Sequence, residues 1–368
     1  MQHQMRRHAR ITIALFLVAA CSSQFAVRAD GGQASLQDAG DPALRFLDDL
    51  PKYTPATEAT GALRLWGHGS HRRNFMGRLF VRWAQEFSQI HPAVQFENRM
   101  YGTASAVGAL YTGAGEIALL GEEISPSADR AFRRARGYAP TIILVATGSL
   151  DVNYFDYAHM IFVHQDNPVG GLSLQQLDAI FGAEHRNSPA NIRTWGELGL
   201  EGQWADRSIQ PHGWQVDVDF ALFFRERVMG NSHRWNPQIR EYVHIRYPDG
   251  SQYDHGQQIL DALARNPSGI AISNIRYSVP GVRAVPLAWT EGGEYVDPDK
   301  HTLIDQSYPL VRLIPAVIDR EPGEPVKPNI REFLLYVLSR EGQTALVEET
   351  GYLPLGPVVR RQQLELLQ

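Results

Sequence analysis

Between Leu63 and Ile90 the spacing of apolar residues changes period. Leu63 and Leu65 alternate with small or polar neighbours as far as Gly67, and Phe75, Leu79, Trp83 and Phe87 then recur every fourth residue. The first pattern predicts a strand and the second an amphipathic helix, joined by a glycine-bearing corner. Ser70 stands at the N-cap position. Gly67 and Gly69 let the chain turn so that the unpaired amides of the helix start point outward, a ready site for an anion. His71, Arg72 and Arg73 occupy the first helical turn, where each cation opposes the macrodipole by roughly 0.3–1 kcal/mol. A negative ligand relieves that conflict; arginines turned to solvent simply bear it.

The alternation of strand and helix patterns continues along the chain. Residues 94–97 read as a second strand, Tyr101-Gly102-Thr103-Ala104-Ser105 leads into a short helix ending near Gly113, and a third buried strand over 117–120 stops at Gly121-Glu122-Glu123. A helix is predicted over 127–136, strands over 141–146 and 159–164, and a helix capped by Ser173. Further on, the pieces over 194–199 and 209–214 and a helix over 220–228 continue the pattern in a second lobe, followed by a helix over 257–265, a strand over 269–272 and the apolar stretch 285–288. An apolar strand follows Arg312. Helices over 330–338 and 341–349 precede Gly351, read as a C-cap, and a terminal helix is expected over 358–367. Residues 247–256 read as a polar loop, and no internal repeat is visible. Repeated β–α alternation predicts an α/β fold with a parallel or mixed sheet flanked by helices, and ligands in such sheets sit at the carboxyl ends of strands.

Composition adds an address. The 368 residues, 43% hydrophobic and 20% charged, suffice for a full core and two lobes. Arg6, Arg7 and Arg10 precede an apolar run over residues 11–20, too short to span a membrane and shaped like a secretory signal. Residues 1–20 are therefore read as a signal peptide. Cys21, the only cysteine, follows Val18-Ala19-Ala20, which resembles the lipobox of bacterial lipoproteins; a competing cut after Ala29 would release a chain without cysteine. Either route excludes an internal disulfide and a cysteine-based metal site. Residues 21–61 read as a tether with a turn or two of helix around Leu44, Phe46, Leu47 and Leu50. Without the three signal-peptide arginines the 35 basic residues fall to 32 against 40 acidic, a net charge of −8. That balance excludes nucleic acid as a partner and leaves anion affinity to local geometry.

Over residues 63–356 the order of segments resembles the phosphate-type substrate-binding proteins of bacterial ABC importers, in the type II periplasmic-binding superfamily. Leu172-Ser173-Leu174-Gln175-Gln176-Leu177-Asp178-Ala179-Ile180-Phe181-Gly182 followed by Thr194-Trp195-Gly196-Glu197-Leu198-Gly199 carries the resemblance. So do Tyr308-Pro309-Leu310-Val311-Arg312, Leu338-Ser339-Arg340-Glu341-Gly342-Gln343 and Gly351-Tyr352-Leu353-Pro354-Leu355. The resemblance implies a two-lobed periplasmic-binding-protein-like fold, each lobe a mixed sheet flanked by helices, with crossover hinge strands. Residues 62–160 would begin the first lobe, 161–285 form the second, and 286–368 return to the first and add the C-terminal helices. It implies a monomer that holds a small oxyanion, phosphate by family default, and passes it to the membrane subunits of an importer, with no cofactor.

The implied contacts are Gly69 and Ser70 at the first corner and Thr103 to Ser105 at the second; His71 and Arg72 join the candidate site by their place in the first helical turn. Where relatives carry Ser-Asp or Ser-Arg after the third strand, this chain has Gly121 and Glu122. Where they carry Arg followed by Ser-Gly-Thr, it has Trp214-Gln215-Val216-Asp217-Val218-Asp219. Phosphate beside Glu122, Asp217 and Asp219 would meet like charge unless a carboxyl held a proton. His68, His71, Arg72 and Arg73 could compensate, or Trp66 and Trp214 could wall a cleft for another solute. Plainer accounts stand beside these: Trp214 as core, Asp217 or Asp219 as a helix cap, Thr103 and Ser105 as N-caps, Glu122 and Glu123 as a solvated loop. Rival functions are a sensor or surface interaction protein with a diverged cleft, and a hydrolase using Ser70. No catalytic motif is present, and the spacings of His68, His71, His159 and His164 match no familiar metal site, so none is expected.

Overall fold

The computed structural model describes residues 40–68, 75–152 and 156–368. Cys21 and the expected signal peptide lie outside them. The second half of the expected tether is packed on the body. Asp41 caps a 3-10 helix, Pro42–Asp49, whose Ala43 and Leu44 are buried along with Leu50. Lys300 pairs with Asp41 at 2.6 Å, Arg340 Nε donates to Leu50 O at 2.8 Å, and Tyr53 Oη donates to Glu332 Oε2 at 2.8 Å. Apolar residues that the tether reading left in water thus find a place in the core.

The first lobe opens with β1 (Gly61–Gly67), α1 (Phe75–Ile90), β2 (Val94–Arg99), α2 (Thr103–Tyr111), β3 (Ile117–Leu119), α3 (Pro126–Arg136) and β4 (Thr141–Thr147). Leu63 and Leu65 of β1 point into a core completed by Trp83 and Phe87 of α1. Gly67 ends the strand without forming a corner, because a Cβ there would lie 1.9 Å from Leu119 O of β3. Its lack of a side chain serves close approach of two backbones.

The second lobe holds β5 (Met160–His164), β6 (Leu172–Ser173), α4 (Leu174–Phe181), β7 (Gln210–Trp214), α5 (Asp219–Val228), β8 (Arg240–Tyr242), β9 (Ile245–Arg246), β10 (Gln252–Tyr253), α6 (His255–Leu263), β11 (Gly269–Ser273), β12 (Val282–Ala284) and β13 (Leu287–Ala288). Ser173 begins α4 with a capping box shared with Gln176. Within the expected polar loop over 247–256, β10 forms and pairs antiparallel with β9, which lies just ahead of the loop. In the apolar stretch 285–288 only Leu287–Ala288 is strand, and Pro286, which lacks an N–H, stands between β12 and β13. After α7 (Lys300–Ile304) the chain returns through β14 (Leu313–Ile318), α8 (Pro328–Val337), α9 (Arg340–Glu349) and α10 (Pro357–Glu365). Helix α9 ends at an extended Thr350, and Gly351 is not a left-handed cap; Val152 Cγ1 would sit 2.7 Å from its Cβ.

Two mixed five-stranded sheets result, in the orders β2-β1-β3-β14-β4 and β12-β5-β11-β7-β8. Val285, Leu303, Ile304, Tyr308, Leu310 and Val311 pack in the core of the second sheet. The return to the first lobe therefore falls at Arg312–Leu313, later than the 285/286 boundary expected from the sequence. The two crossover segments are tied together: Gly148 N donates to Arg312 O at 2.8 Å, His159 N to Leu310 O at 3.1 Å, and Tyr308 Oη to His159 O at 3.0 Å.

Candidate functional site

Gly69, Ser70, His71, Arg72 and Arg73 lie outside the described residues, but the chain on either side of them places three loop tips together. His68 N donates to Leu119 O at 3.0 Å, and Gly102 N donates to Gly67 O at 2.8 Å. His68 Nδ1 lies 3.2 Å from Thr103 Oγ1, and a Cβ on Gly121 would come within 2.7 Å of the His68 ring. The exits of β1, β2 and β3 thus meet around one imidazole. Burial lowers the pKa of His68, which works against the compensating positive charge that it could have supplied.

Thr103 and Ser105 sit on the first turn of α2 and neither caps it. The N-cap is Gly102, without a side-chain acceptor, and Ser105 Oγ donates back to Gly102 O at 3.2 Å. Among the helices whose starts are described, α3, α4, α6, α7 and α9 are capped by Ser125, Ser173, Asp254, Asp299 and Ser339. Helices α8 and α10 begin with proline, which has no amide hydrogen to satisfy. Only α2 and α5 have neither device. Each follows the carboxyl end of a strand, one in each lobe, and each leaves first-turn amides for an acceptor from elsewhere.

Between the lobes lies a cavity of about 250 Å³, lined by Glu122, Ser125 and Arg130 from one side and Asp219, Phe223 and Arg225 from the other. Arg312, 2% exposed, closes its base. The Arg312 guanidinium binds Glu123 through Nε at 2.9 Å and Nη2 at 2.8 Å, reaches Asp156 at 3.4 Å, and stacks over Phe223 of the second lobe at 4.5 Å. Glu123 also accepts from Leu313 N at 2.6 Å, so it is a structural anchor and not a solvated loop residue. Among the described residues Glu122 has no such partner. Burial, then Asp156 and Asp219, push its pKa up to about 7, against the pull of Arg312. Burial likewise raises Asp156 to about 6. A carboxyl in that range is partly protonated at neutral pH and can donate a hydrogen bond to an anion.

Other expectations are corrected by packing. Trp214 is 2% exposed, lies against His159, Phe220 and His255, and has its Nε1 buried without a partner among the described residues. It belongs to the second-lobe core and does not wall a cleft. Trp66 donates from Nε1 to Ala114 O at 3.2 Å and meets the edge of Tyr101. Asp217 is exposed in the β7–α5 turn, and neither it nor Asp219 caps α5, whose N-cap is Val218. That turn is held instead by Glu241, which accepts from Val216 N at 2.9 Å. Arg312 was missed as a site residue. Its signal was a lone arginine just ahead of an apolar strand, inside a motif read as structural.

No family profile matches the chain. The phosphate-binding protein PstS of Pseudomonas aeruginosa, in strains PAO1 and UCBPP-PA14 alike, is 30% identical over 342 residues, covering 93% of this chain and 96% of the relative. Among solved structures, PstS from Borrelia burgdorferi covers 80% of this chain and 99% of its own at 11% identity, with a TM-score of 0.52, a likeness of fold alone. The shared architecture, and an identity that runs through nearly the whole of both chains, mean that this chain belongs to the PstS family of phosphate-binding proteins.

Proposed function

We propose that this chain is an exported receptor that captures phosphate between its two lobes and delivers it to the membrane subunits of an ABC importer. The observation that carries this reading is the pair of uncapped helix starts, α2 and α5, placed at strand carboxyl ends in opposite lobes. A multiply charged anion satisfies both sets of amides at once, which favours the closed arrangement of the lobes and gives the importer a state to recognise. The relatives named for phosphate binding support the choice of anion. Gly69, Ser70, His71 and Arg72 complete the first-lobe contacts, with Thr103, Ser105 and a protonated Glu122.

The protein acts by binding and not by catalysis, as a monomer in the periplasm or cell envelope. No helix among the described residues is long and apolar enough to cross a membrane. Attachment, on this reading, comes from acylation at Cys21 after removal of residues 1–20. Calorimetric titration of the mature chain tests the assignment. Phosphate should saturate one site and sulfate should bind far more weakly, and Ser70→Ala and Arg72→Ala should each weaken phosphate binding about tenfold, as loss of a charge-assisted contact implies. A wild-type chain that shows no response to phosphate ends the proposal, and unchanged affinity in both variants removes those residues from the site.

A further inference from the structure

We infer that His244, Asp254 and His255 form a site for a divalent transition-metal cation, with Zn²⁺ the best match, on the second lobe behind the β7–α5 turn. The inference does not depend on the identity of the solute in the cleft. The three residues come from two places: His244 from the turn between β8 and β9, Asp254 and His255 from the start of α6. Their candidate ligand atoms all lie within 4.8 Å of one another. His244 Nδ1 is 3.6 Å from Asp254 Oδ2, and His255 Nε2 is 4.0 Å from Asp254 Oδ1. Donors bound at about 2.0–2.1 Å to tetrahedral zinc stand about 3.3 Å apart, so on binding the 3.6 Å and 4.0 Å pairs close by about 0.3 and 0.7 Å and the widest pair by up to about 1.5 Å.

The hydrogen bonds around His244 fix which of its ring nitrogens carries the lone pair. The backbone N–H of His255 points to His244 Nδ1 at 3.4 Å, and Gln252 Nε2 approaches the same atom at 2.8 Å. A backbone N–H can only donate, so Nδ1 is the unprotonated nitrogen. A metal bound at Nδ1 takes over the lone pair these two donors now share, and Asp254 Oδ2, 3.6 Å away, supplies the second donor atom. Two imidazoles and one carboxylate suit zinc or its neighbours better than calcium or magnesium, which prefer oxygen. The exposed side of His244 leaves a coordination position for water.

The set is rigid on one side. Asp254 caps α6 by accepting from Gly256 N at 2.9 Å, and the His255 ring lies 6.2 Å from Trp214 and 6.0 Å from Phe220, the aromatics that flank the β7–α5 turn. A metal here would clamp the β8–β9 turn to α6 and stiffen the floor under the uncapped start of α5.

Titration of the mature chain with ZnCl₂ alone, followed by calorimetry and by the thermal midpoint, tests the site. Wild type should bind one equivalent and melt at a higher temperature with zinc. His244→Ala removes an exposed ring, and Asp254→Asn keeps a capping side chain while losing the charge, so both should fold. Each should weaken zinc binding by more than about tenfold, at least the loss typical of an outer-shell change. Absence of stoichiometric binding by the wild type, or wild-type affinity in either variant, overturns the inference.

Discussion

Glu122 titrates near neutrality because a buried wall and two neighbouring carboxylates make its charge expensive, and this sets a sign for its pH behaviour. Its folded pKa of about 7 lies above the ordinary 4.5. The folded chain therefore holds a proton that the unfolded chain has released, and the stability tied to it is fully present below pH 4.5 and lost as pH rises through 7. Glu122→Gln should be as stable as wild type near pH 4.5 and more stable at pH 8, by at most about 3 kcal/mol; urea denaturation at the two values measures the difference. Glutamine keeps a donor toward the cleft. The loss of phosphate affinity between pH 6 and 8.5 should accordingly be shallower in the variant, because titration of phosphate itself is common to both proteins. Parallel pH profiles of affinity would remove Glu122 from the site.

The start of α2 offers a sharper contrast, since stability and binding should move in opposite directions there. Gly102 is extended, and a Cβ on it would meet nothing within 4 Å, so a side chain is sterically free. Gly102→Asp supplies the missing cap and a charge favourable to the macrodipole, worth about 0.5–1 kcal/mol, while occupying the amides proposed for phosphate. The variant should melt higher and bind phosphate at least about tenfold more weakly, given a carboxylate competing for charge-assisted bonds. Equal affinity would show that α2 does not hold the anion. Helix starts of this kind were partly legible in the sequence. The strand and helix periods of β1, α1, β3 and α4 follow from one-sided or complete burial, so they stand out, and topology then places Thr103 and Glu122 at strand ends. The two-residue strands β9 and β10 are too short to show a period. Trp214 has the same neighbours in sequence whether it faces a cleft or a core, and only tertiary packing distinguishes them.

Arg312 joins the two lobes, and its partnership with Glu123 spans 189 positions of sequence, beyond the reach of local patterns. One buried guanidinium offsets Glu123 and Asp156, moderates Glu122, and presents its face to Phe223 across the lobe boundary. Opening of the lobes must either carry Phe223 away from that face or move Arg312 from its carboxylates. Buried pairs resist separation because each member left alone keeps its desolvation cost. The hydrocarbon contact with Phe223 is the weaker of the two, about 2 kcal/mol at most, and is therefore the one expected to break first. Phe223→Leu should consequently shift the unliganded chain toward an open form, visible as a larger radius by small-angle scattering, with little loss of stability. Arg312→Met should instead destabilise the whole fold by about 3–5 kcal/mol, because the carboxylates remain buried without their cation. With the arginine gone the folded pKa of Asp156, already raised by burial, rises further, so stability is retained where that carboxyl is protonated and lost as pH rises. The deficit should therefore be small at pH 5 and large at pH 8, and a deficit independent of pH would mean that Arg312 acts by packing alone.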